Sequence, residues 1–179
     1  MKKKQFIGCI LMSIFLFSTV VNAKKIKSEY KIKASYVFNF IRFVTWPTQQ
    51  LDKKTESVQV CVMNSNSQFN KAFKPVIGRK ISGHPLRFKQ LSDINNIAQC
   101  HLLYVDKSKK NNIVKLLPLI EKYKILFISD SRNFCAKGGM IGMVKRKGKI
   151  RLEINLKATK LAGFNISSNL LEVATIVEK

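Results

Sequence analysis

The sequence predicts a single α/β domain with a Rossmann-like mixed sheet. We expect the sheet to be mostly parallel, to end in a C-terminal antiparallel hairpin and to be flanked by helices. Two observations predict this fold. Apolar strand patterns alternate with helical stripes through the first two-thirds of the chain, which is typical of parallel βαβ units. Further on, two strand-like runs are joined by a polar link that contains glycine, which is typical of a hairpin.

A short apolar segment precedes the predicted domain. Three lysines, at positions 2 to 4, are followed by the apolar stretch 6–21, and small residues end at Ala23. This order is typical of a secretory signal peptide. We therefore expect cleavage after Ala23, with residues 1–23 as the leader and residues 24–179 as one exported domain. No later stretch is apolar enough to span a bilayer.

The chain is strongly basic, with a formal net charge of +23. Removing the three leader lysines lowers this to +20, and only six arginines contribute. Arginine is the residue that most often recognises bases, and export separates the protein from nucleic acid, so no nucleic acid is expected as partner. The charge is consistent with a solvated lysine-rich surface, an anionic membrane surface or an acidic protein partner.

The predicted elements follow in order. Residues 28–44 form an amphipathic helix, because apolar side chains recur every three or four positions until Trp46-Pro47 stops the helix. Trp46 either plugs the core at the helix end or is an exposed anchor for a partner. Later strands are predicted at 57–64, 85–91, 101–105 and 124–128, and helices at 68–76 and 109–123. A helix over 156–162 is capped by Asn155 and ended by Gly163. A last helix follows Ser167 or Ser168, with a stripe of Leu170, Val173, Ala174 and Val177.

The predicted hairpin has arms at 140–144 and 149–155, joined by a turn at 145–148. In the second arm Arg151, Glu153 and Asn155 share one face, opposite three apolar residues. Glu153 is the only carboxylate between residues 131 and 171. It either pairs with Arg151 or a nearby lysine, or it marks a recognition face. The preceding Gly138-Gly139 pair either makes a turn with positive φ or allows a partner backbone to approach closely.

Three cysteines remain after the leader, Cys61, Cys100 and Cys135. In an oxidising compartment they can form one disulfide and leave one thiol. Cys61 lies in a predicted strand and Cys100 begins another. A bridge between them is natural if the strands are neighbours, and Cys135 would then be the free thiol.

Residues that would carry catalysis are sparse. There are two histidines, His84 and His101, and the carboxylates are scattered, so neither an acid–base pair nor a zinc spacing stands out. The residues therefore predict no cofactor, no metal and no enzyme. They favour an exported binding or regulatory domain.

Four blocks of sequence carry a resemblance when they are taken together. The blocks are Lys33-Ala34-Ser35-Tyr36-Val37-Phe38-Asn39-Phe40 through Phe43-Val44-Thr45-Trp46-Pro47; Gly78-Arg79 through Gly83-His84-Pro85-Leu86; Cys100-His101-Leu102-Leu103-Tyr104-Val105; and Gly138-Gly139-Met140-Ile141-Gly142 through Arg151-Leu152-Glu153-Ile154-Asn155-Leu156, closing with Ala162-Gly163-Phe164-Asn165-Ile166-Ser167-Ser168. Their order and spacing resemble the YfiR family of bacterial periplasmic proteins. The resemblance covers nearly all of the chain after the leader and implies a periplasmic location.

The resemblance implies regulation by binding. YfiR-like proteins repress an inner-membrane diguanylate cyclase through its periplasmic sensor part, and an OmpA-like outer-membrane lipoprotein relieves the repression. Members form homodimers, and cyclic di-GMP output controls biofilm formation. The family's disulfide matches Cys61 and Cys100. Leu152 stands where the family usually has an aromatic residue, and Gly142 stands near a second cysteine that some members carry.

We expect the partner-binding face to contain Glu153 and Asn155, with Arg151 and the Gly139-Met140 start of the hairpin beside them. The Trp46-Pro47 corner is the second choice. The alternative hypothesis is a periplasmic sensor module that binds a small molecule or a polyanion and has no cyclase partner.

Overall fold

The computed structural model describes residues 28–47, 56–65 and 67–178. The predicted signal peptide lies outside the described residues. Helix α1 covers residues 28–43 of the described part. The later helices are α2 (Gln68–Phe73), α3 (Ile113–Tyr123), α4 (Leu156–Leu161) and α5 (Ser168–Glu172). The strands are β1 (Val44–Thr45), β2 (Val58–Met63), β3 (Lys80–Ile81), β4 (His84–Gln90), β5 (Leu102–Val105), β6 (Leu126–Ser129), β7 (Ile141–Arg146), β8 (Lys149–Ile154), β9 (Asn165–Ile166) and β10 (Ala174–Ile176).

One sheet carries the domain, with strand order β10-β8-β7-β6-β5-β2-β4-β3. Strands β4, β2, β5, β6 and β7 run parallel, and β7 and β8 form an antiparallel hairpin. The predicted α/β fold with a mostly parallel mixed sheet is therefore confirmed. The chain leaves β2 toward β4 and leaves β5 toward β6, so the carboxyl ends of β2 and β5 flank the place where connections diverge. Ligand crevices in α/β folds lie at such a place.

Both faces of the sheet are covered. On one face Tyr104 and Phe88 pack against Phe69 and Phe73 of α2, with ring centroids 4.4 Å and 5.8 Å apart. On the other face Phe127 packs edge-on against Phe134, which precedes a short 3-10 helix at Cys135–Lys137. Continuous apolar strands such as β5 and β6 fit this arrangement, because a strand covered on both faces has no solvent side.

The hairpin differs from the prediction at its turn. The first arm extends to Arg146 and the second arm begins at Lys149, which leaves only Lys147 and Gly148 as the loop. Both have positive φ, +46° and +77°. Two residues with positive φ give the turn whose twist matches the two strands, so the ladder continues two residues beyond the predicted arm.

The last predicted helix is wrong beyond residue 172. The structure has the short helix α5 and then strand β10, which pairs in parallel with β8. Val173, Thr175, Ile176 and Val177 are β-branched and fit a strand better than a helix. Val177 donates its backbone N–H to the Ile154 carbonyl at 2.8 Å. As a result β8 is an inner strand, and the hairpin is not the edge of the sheet.

A disulfide joins Cys61 to Cys100, with Cα atoms 5.7 Å apart. It links β2 to the residue that leads into the neighbouring strand β5. Cys135 is the free, buried thiol. The pairing predicted from the positions of the strands is confirmed.

Candidate functional site

The hairpin face carries a surface groove between the β7–β8 tip and the α5–β10 segment. Its volume is about 620 Å³. We call it the hairpin groove, lined by Arg146, Lys147, Arg151, Leu152, Glu153, Glu172, Val173, Ala174 and Thr175. Val173 is 67 % exposed at its edge. The groove therefore combines an exposed apolar side chain with charged side chains of both signs.

Glu153 lies at the inner wall of this groove. Its side chain is only 9 % exposed, and its carboxylate accepts a hydrogen bond from the Arg146 guanidinium at 2.5 Å. The ion pair is with Arg146 of the opposite arm, not with Arg151 or a lysine. Arg151 is exposed and lines the groove. The structure thus brings Glu153 and Arg151 together, with Arg146 as the residue that sequence reasoning missed.

Asn155 is buried and has a structural role. Its Oδ1 accepts the Ala158 N–H at 2.9 Å and so caps α4, while its Nδ2 donates to the Cys135 carbonyl at 3.0 Å. Its side chain is 2 % exposed. The predicted cap is confirmed. The placement of Asn155 on the same open face as Glu153 is wrong, because the Cys135 segment and α4 cover it.

Gly139 and Met140 are also buried. A Cβ at Gly139 would lie 2.3 Å from the Phe134 ring. The close approach that a glycine allows is therefore to this chain's own aromatic ring, while Gly138, at φ +96°, makes the turn. Neither residue of the Gly139-Met140 pair lines the hairpin groove.

The Trp46-Pro47 corner packs onto the body of the domain. Trp46 is half-buried, meets Phe164 edge-on at 5.5 Å and donates its indole N–H to the Ile41 carbonyl at 3.1 Å. A Cβ at Gly163 would lie 3.2 Å from the Pro47 ring. These contacts fit the interpretation of Trp46 as a plug at the helix end, and they lie outside the hairpin groove.

Cys135 lies behind the groove. Its Sγ is 3.3 Å from the Glu153 carbonyl, and a Cβ at Gly142 would lie 3.3 Å from the same sulfur. Burial, helped by the Glu153 charge, raises the pKa of the thiol to about 12. Because the thiolate is the reactive form, this cysteine is unreactive at neutral pH. With glycine at position 142, it has no second cysteine to bridge.

A buried ionic cluster at the carboxyl edge of the sheet escaped sequence reasoning. The Lys33 ammonium donates to Asp130 and to Glu29, each at 2.6 Å, and Tyr30 donates to Asp106 at 3.1 Å. Burial alone would lower the pKa of Lys33, but Asp130 and Glu29 raise it above its ordinary value. The sequence pattern that could have predicted this cluster is the position of Asp106 and Asp130, because each directly follows an apolar strand. The cluster joins α1 to the carboxyl ends of β5 and β6.

The described residues contain no group of three or more His, Cys, Asp or Glu side chains arranged to hold a metal ion. In the same part of the chain, no helix combines the length and apolar character that crossing a membrane requires. The arrangement at the hairpin groove is suited to contact with another macromolecule through apolar and charged side chains.

Comparison with known proteins gives a family and a fold. A family model described as YfiR/HmsC-like matches residues 30–175. No curated protein matches this chain. A Streptococcus pneumoniae ABC domain solved in complex with L-Trp is similar over 67 % of this chain and 55 % of its own, at 12 % identity and TM-score 0.50.

A conserved domain protein from Vibrio cholerae O1 biovar El Tor is similar over 68 % of this chain and 54 % of its own, at 13 % identity and TM-score 0.50. The chain thus spans about half the length of these two solved structures. At such identity the likeness concerns the fold alone.

Proposed function

Because the chain belongs to the YfiR/HmsC-like family, whose members are periplasmic regulators in cyclic di-GMP signalling, we propose that it represses an inner-membrane diguanylate cyclase. The repressor binds the periplasmic sensor part of the cyclase and lowers cyclic di-GMP output. It is exported, and its leader is cleaved after Ala23. Regulation of this kind needs no catalysis by the repressor.

The observation that supports the binding site is the hairpin groove. Repression requires tighter binding to the inactive cyclase than to the active one, because only differential affinity shifts an equilibrium. The ion pair between the buried Glu153 and the exposed Arg146, beside the exposed Val173, gives this surface charged groups and an apolar contact. Fixed charges favour one partner geometry over others.

We propose that an OmpA-like outer-membrane lipoprotein relieves repression by occupying the same groove. Competition for one surface makes binding of cyclase and lipoprotein mutually exclusive. The protein acts as a homodimer in this scheme, as the family resemblance implies.

Glu153→Lys tests the site. The substitution places two cations, at positions 146 and 153, side by side in the groove, so we expect repression to be lost and cellular cyclic di-GMP to rise to the level of the deletion strain. The measurement is cyclic di-GMP in cells that carry the cognate cyclase, with immunoblots for periplasmic protein level.

Two further variants control for folding and for charge. Arg146→Glu combined with Glu153→Lys reverses the ion pair and should restore stability without restoring the charge pattern. Glu56→Lys makes the same charge change outside the groove and should repress normally. Full repression by folded Glu153→Lys protein, or equal loss with Glu56→Lys, would contradict the proposed site. An unchanged cyclic di-GMP level on deletion of the gene would contradict the function itself.

The second candidate is a small-molecule sensor without a cyclase partner. A cavity of about 390 Å³ lies between α3 and α4, is mostly apolar, and is bordered by Leu117, Met140 and Leu161. This size is within the range of ligand pockets, and a structural neighbour was solved with L-Trp. If L-tryptophan binds in this cavity, it should raise the melting temperature of the wild type but not that of Ala158→Trp. Such a result, together with no binding of the protein to a cyclase, would favour this candidate.

A further inference from the structure

A third pocket lies at the opposite end of the sheet from the hairpin, between α1 and strand β3. Its volume is about 420 Å³. We call it the α1–β3 pocket, lined by Phe38, Arg42, Arg79, Lys80, Ile81 and Ser82. The functional proposal above does not use any of these residues.

The charged side chains of this pocket are all positive. Arg42, Arg79 and Lys80 are exposed cations, and no carboxylate is part of the lining. Ion pairs within the described ranges involve Lys33, Lys145 and Arg146, not these three residues. Three cations around one concavity repel each other unless an anion lies between them. The lysine-rich composition does not account for the cluster, because two of the six arginines of the chain meet here.

Contacts within the chain position Arg79, and helix geometry places Arg42 near it. The Arg79 guanidinium lies 5.9 Å from the centre of the Phe38 ring, a distance that allows a cation–π contact. Arg42 follows Phe38 by four residues on α1 and so lies on the same side of that helix. The backbone at Arg79 is fixed as well, since its carbonyl accepts the Leu86 N–H at 2.9 Å.

The turn after β3 completes the rim. Ser82 and Gly83 both have positive φ, +50° and +89°, which makes the tight turn between β3 and β4. Ser82 in this turn is part of the pocket lining. The site therefore offers two guanidinium forks, an ammonium and a hydroxyl, and all of these groups are donors to an anion.

We propose that the α1–β3 pocket binds a phosphate group. Guanidinium groups bind phosphate through paired, charge-assisted hydrogen bonds, and three cations suit a phosphate better than a singly charged carboxylate. The phosphate belongs either to a soluble molecule or to a lipid headgroup at the membrane surface. This proposal is independent of the cyclase.

The first test uses inorganic phosphate as the probe. Melting temperature is measured at constant ionic strength while phosphate replaces chloride. We expect phosphate to raise the melting temperature of the wild type, and the double variant Arg42→Gln/Arg79→Gln to lose this rise. The matched control is Arg87→Gln/Arg132→Gln, which removes two exposed arginines elsewhere and should respond as the wild type does.

The second test distinguishes the source of the phosphate. Sedimentation with phosphatidylglycerol vesicles is compared with sedimentation with phosphatidylcholine vesicles. If a lipid headgroup is the ligand, the pocket variant should bind phosphatidylglycerol about tenfold more weakly while the control variant does not. If only the phosphate response depends on the pocket, the ligand is a soluble phosphate compound.

Folding and geometry are controlled separately. Both arginines are exposed, so the pocket variant should melt at the wild-type temperature without phosphate. Arg79→Lys keeps the charge but loses the fork, and it should recover only part of the response. Equal loss in the pocket and control variants would overturn the proposal, as would the absence of any phosphate or vesicle response.

Discussion

Gly139 illustrates how a single position can be fixed by packing. A Cβ there would lie 2.3 Å from the buried Phe134 ring. We therefore expect Gly139→Ala to lower the free energy of unfolding by about 1–3 kcal/mol, because an added methyl group overpacks a filled core. Urea unfolding followed by circular dichroism measures the change.

The second variant in this experiment is Gly139→Ala combined with Phe134→Leu. The smaller leucine should relieve the clash, so the two substitutions should cost less together than the sum of their separate costs. Strict additivity, or a Gly139→Ala midpoint equal to that of the wild type, would show that the glycine is not required by the ring.

Residue-level prediction from the sequence reached some roles and missed others. Alternation along β8 placed Arg151 and Glu153 on one face, and the structure confirms that both line one groove. Alternation cannot say what covers a face. The segment around Cys135 covers Asn155, and the contact that places it there spans 20 residues of sequence. The close contact between Phe134 and Gly139 could not be predicted either. A glycine pair has the same sequence pattern whether it makes a turn or allows a close approach.

At the scale of elements, the disulfide joins two parallel neighbours in the centre of the sheet. Cys61→Ser should lower the free energy of unfolding by about 3–4 kcal/mol, since the bridge closes a loop of 39 residues in the unfolded chain. Urea unfolding under oxidising conditions measures this loss. We also expect repression of the cyclase to be released, because less folded protein remains.

Reducing agent provides the control for this prediction. It should lower the wild-type midpoint to that of the Cys61→Ser variant and leave the variant unchanged. The bridge would be irrelevant to stability if wild type and variant unfolded at the same urea concentration without reductant.

The order of elements was predictable wherever one period dominated the pattern. The helix at the start of the domain, the apolar strands and the hairpin follow from repeats of about 3.6 or 2 residues. The strand after Glu172 could not be predicted in this way, because Val173, Ala174 and Val177 also fit a helical stripe. Pairing with β8 decided the outcome in favour of a strand, and such long-range pairing overrides local preference.

At the scale of the whole molecule, α1 is tied to the sheet by charges. Burial alone would raise the pKa of Glu29, but hydrogen bonds from Lys145 and Lys33 lower it to about 2. A carboxyl group whose pKa is lowered on folding stabilises the fold above its unfolded pKa, near 4.5, and loses this effect as the pH falls toward 2. Acid should therefore weaken the attachment of α1.

The variant Glu29→Gln isolates this effect. Its free energy of unfolding should be lower than that of the wild type at pH 6, and the difference should shrink as the pH falls from 4.5 to 2. Urea unfolding at several pH values gives both curves. Glu172→Gln removes an exposed carboxylate and should follow the wild type throughout. A difference between Glu29→Gln and wild type that does not change with pH would contradict the role of this ion pair.

The contact between Lys33 and Asp130 joins residues 97 positions apart. In a polypeptide that emerges from a translocation channel with its amino end first, the lysine appears long before its carboxylate. Until β5 and β6 have followed, Lys33 has, among the described residues, only Glu29 of its own helix as an ionic partner. In the export that we propose, the ion pair between Lys33 and Asp130 can therefore form only after residue 130 has crossed the membrane.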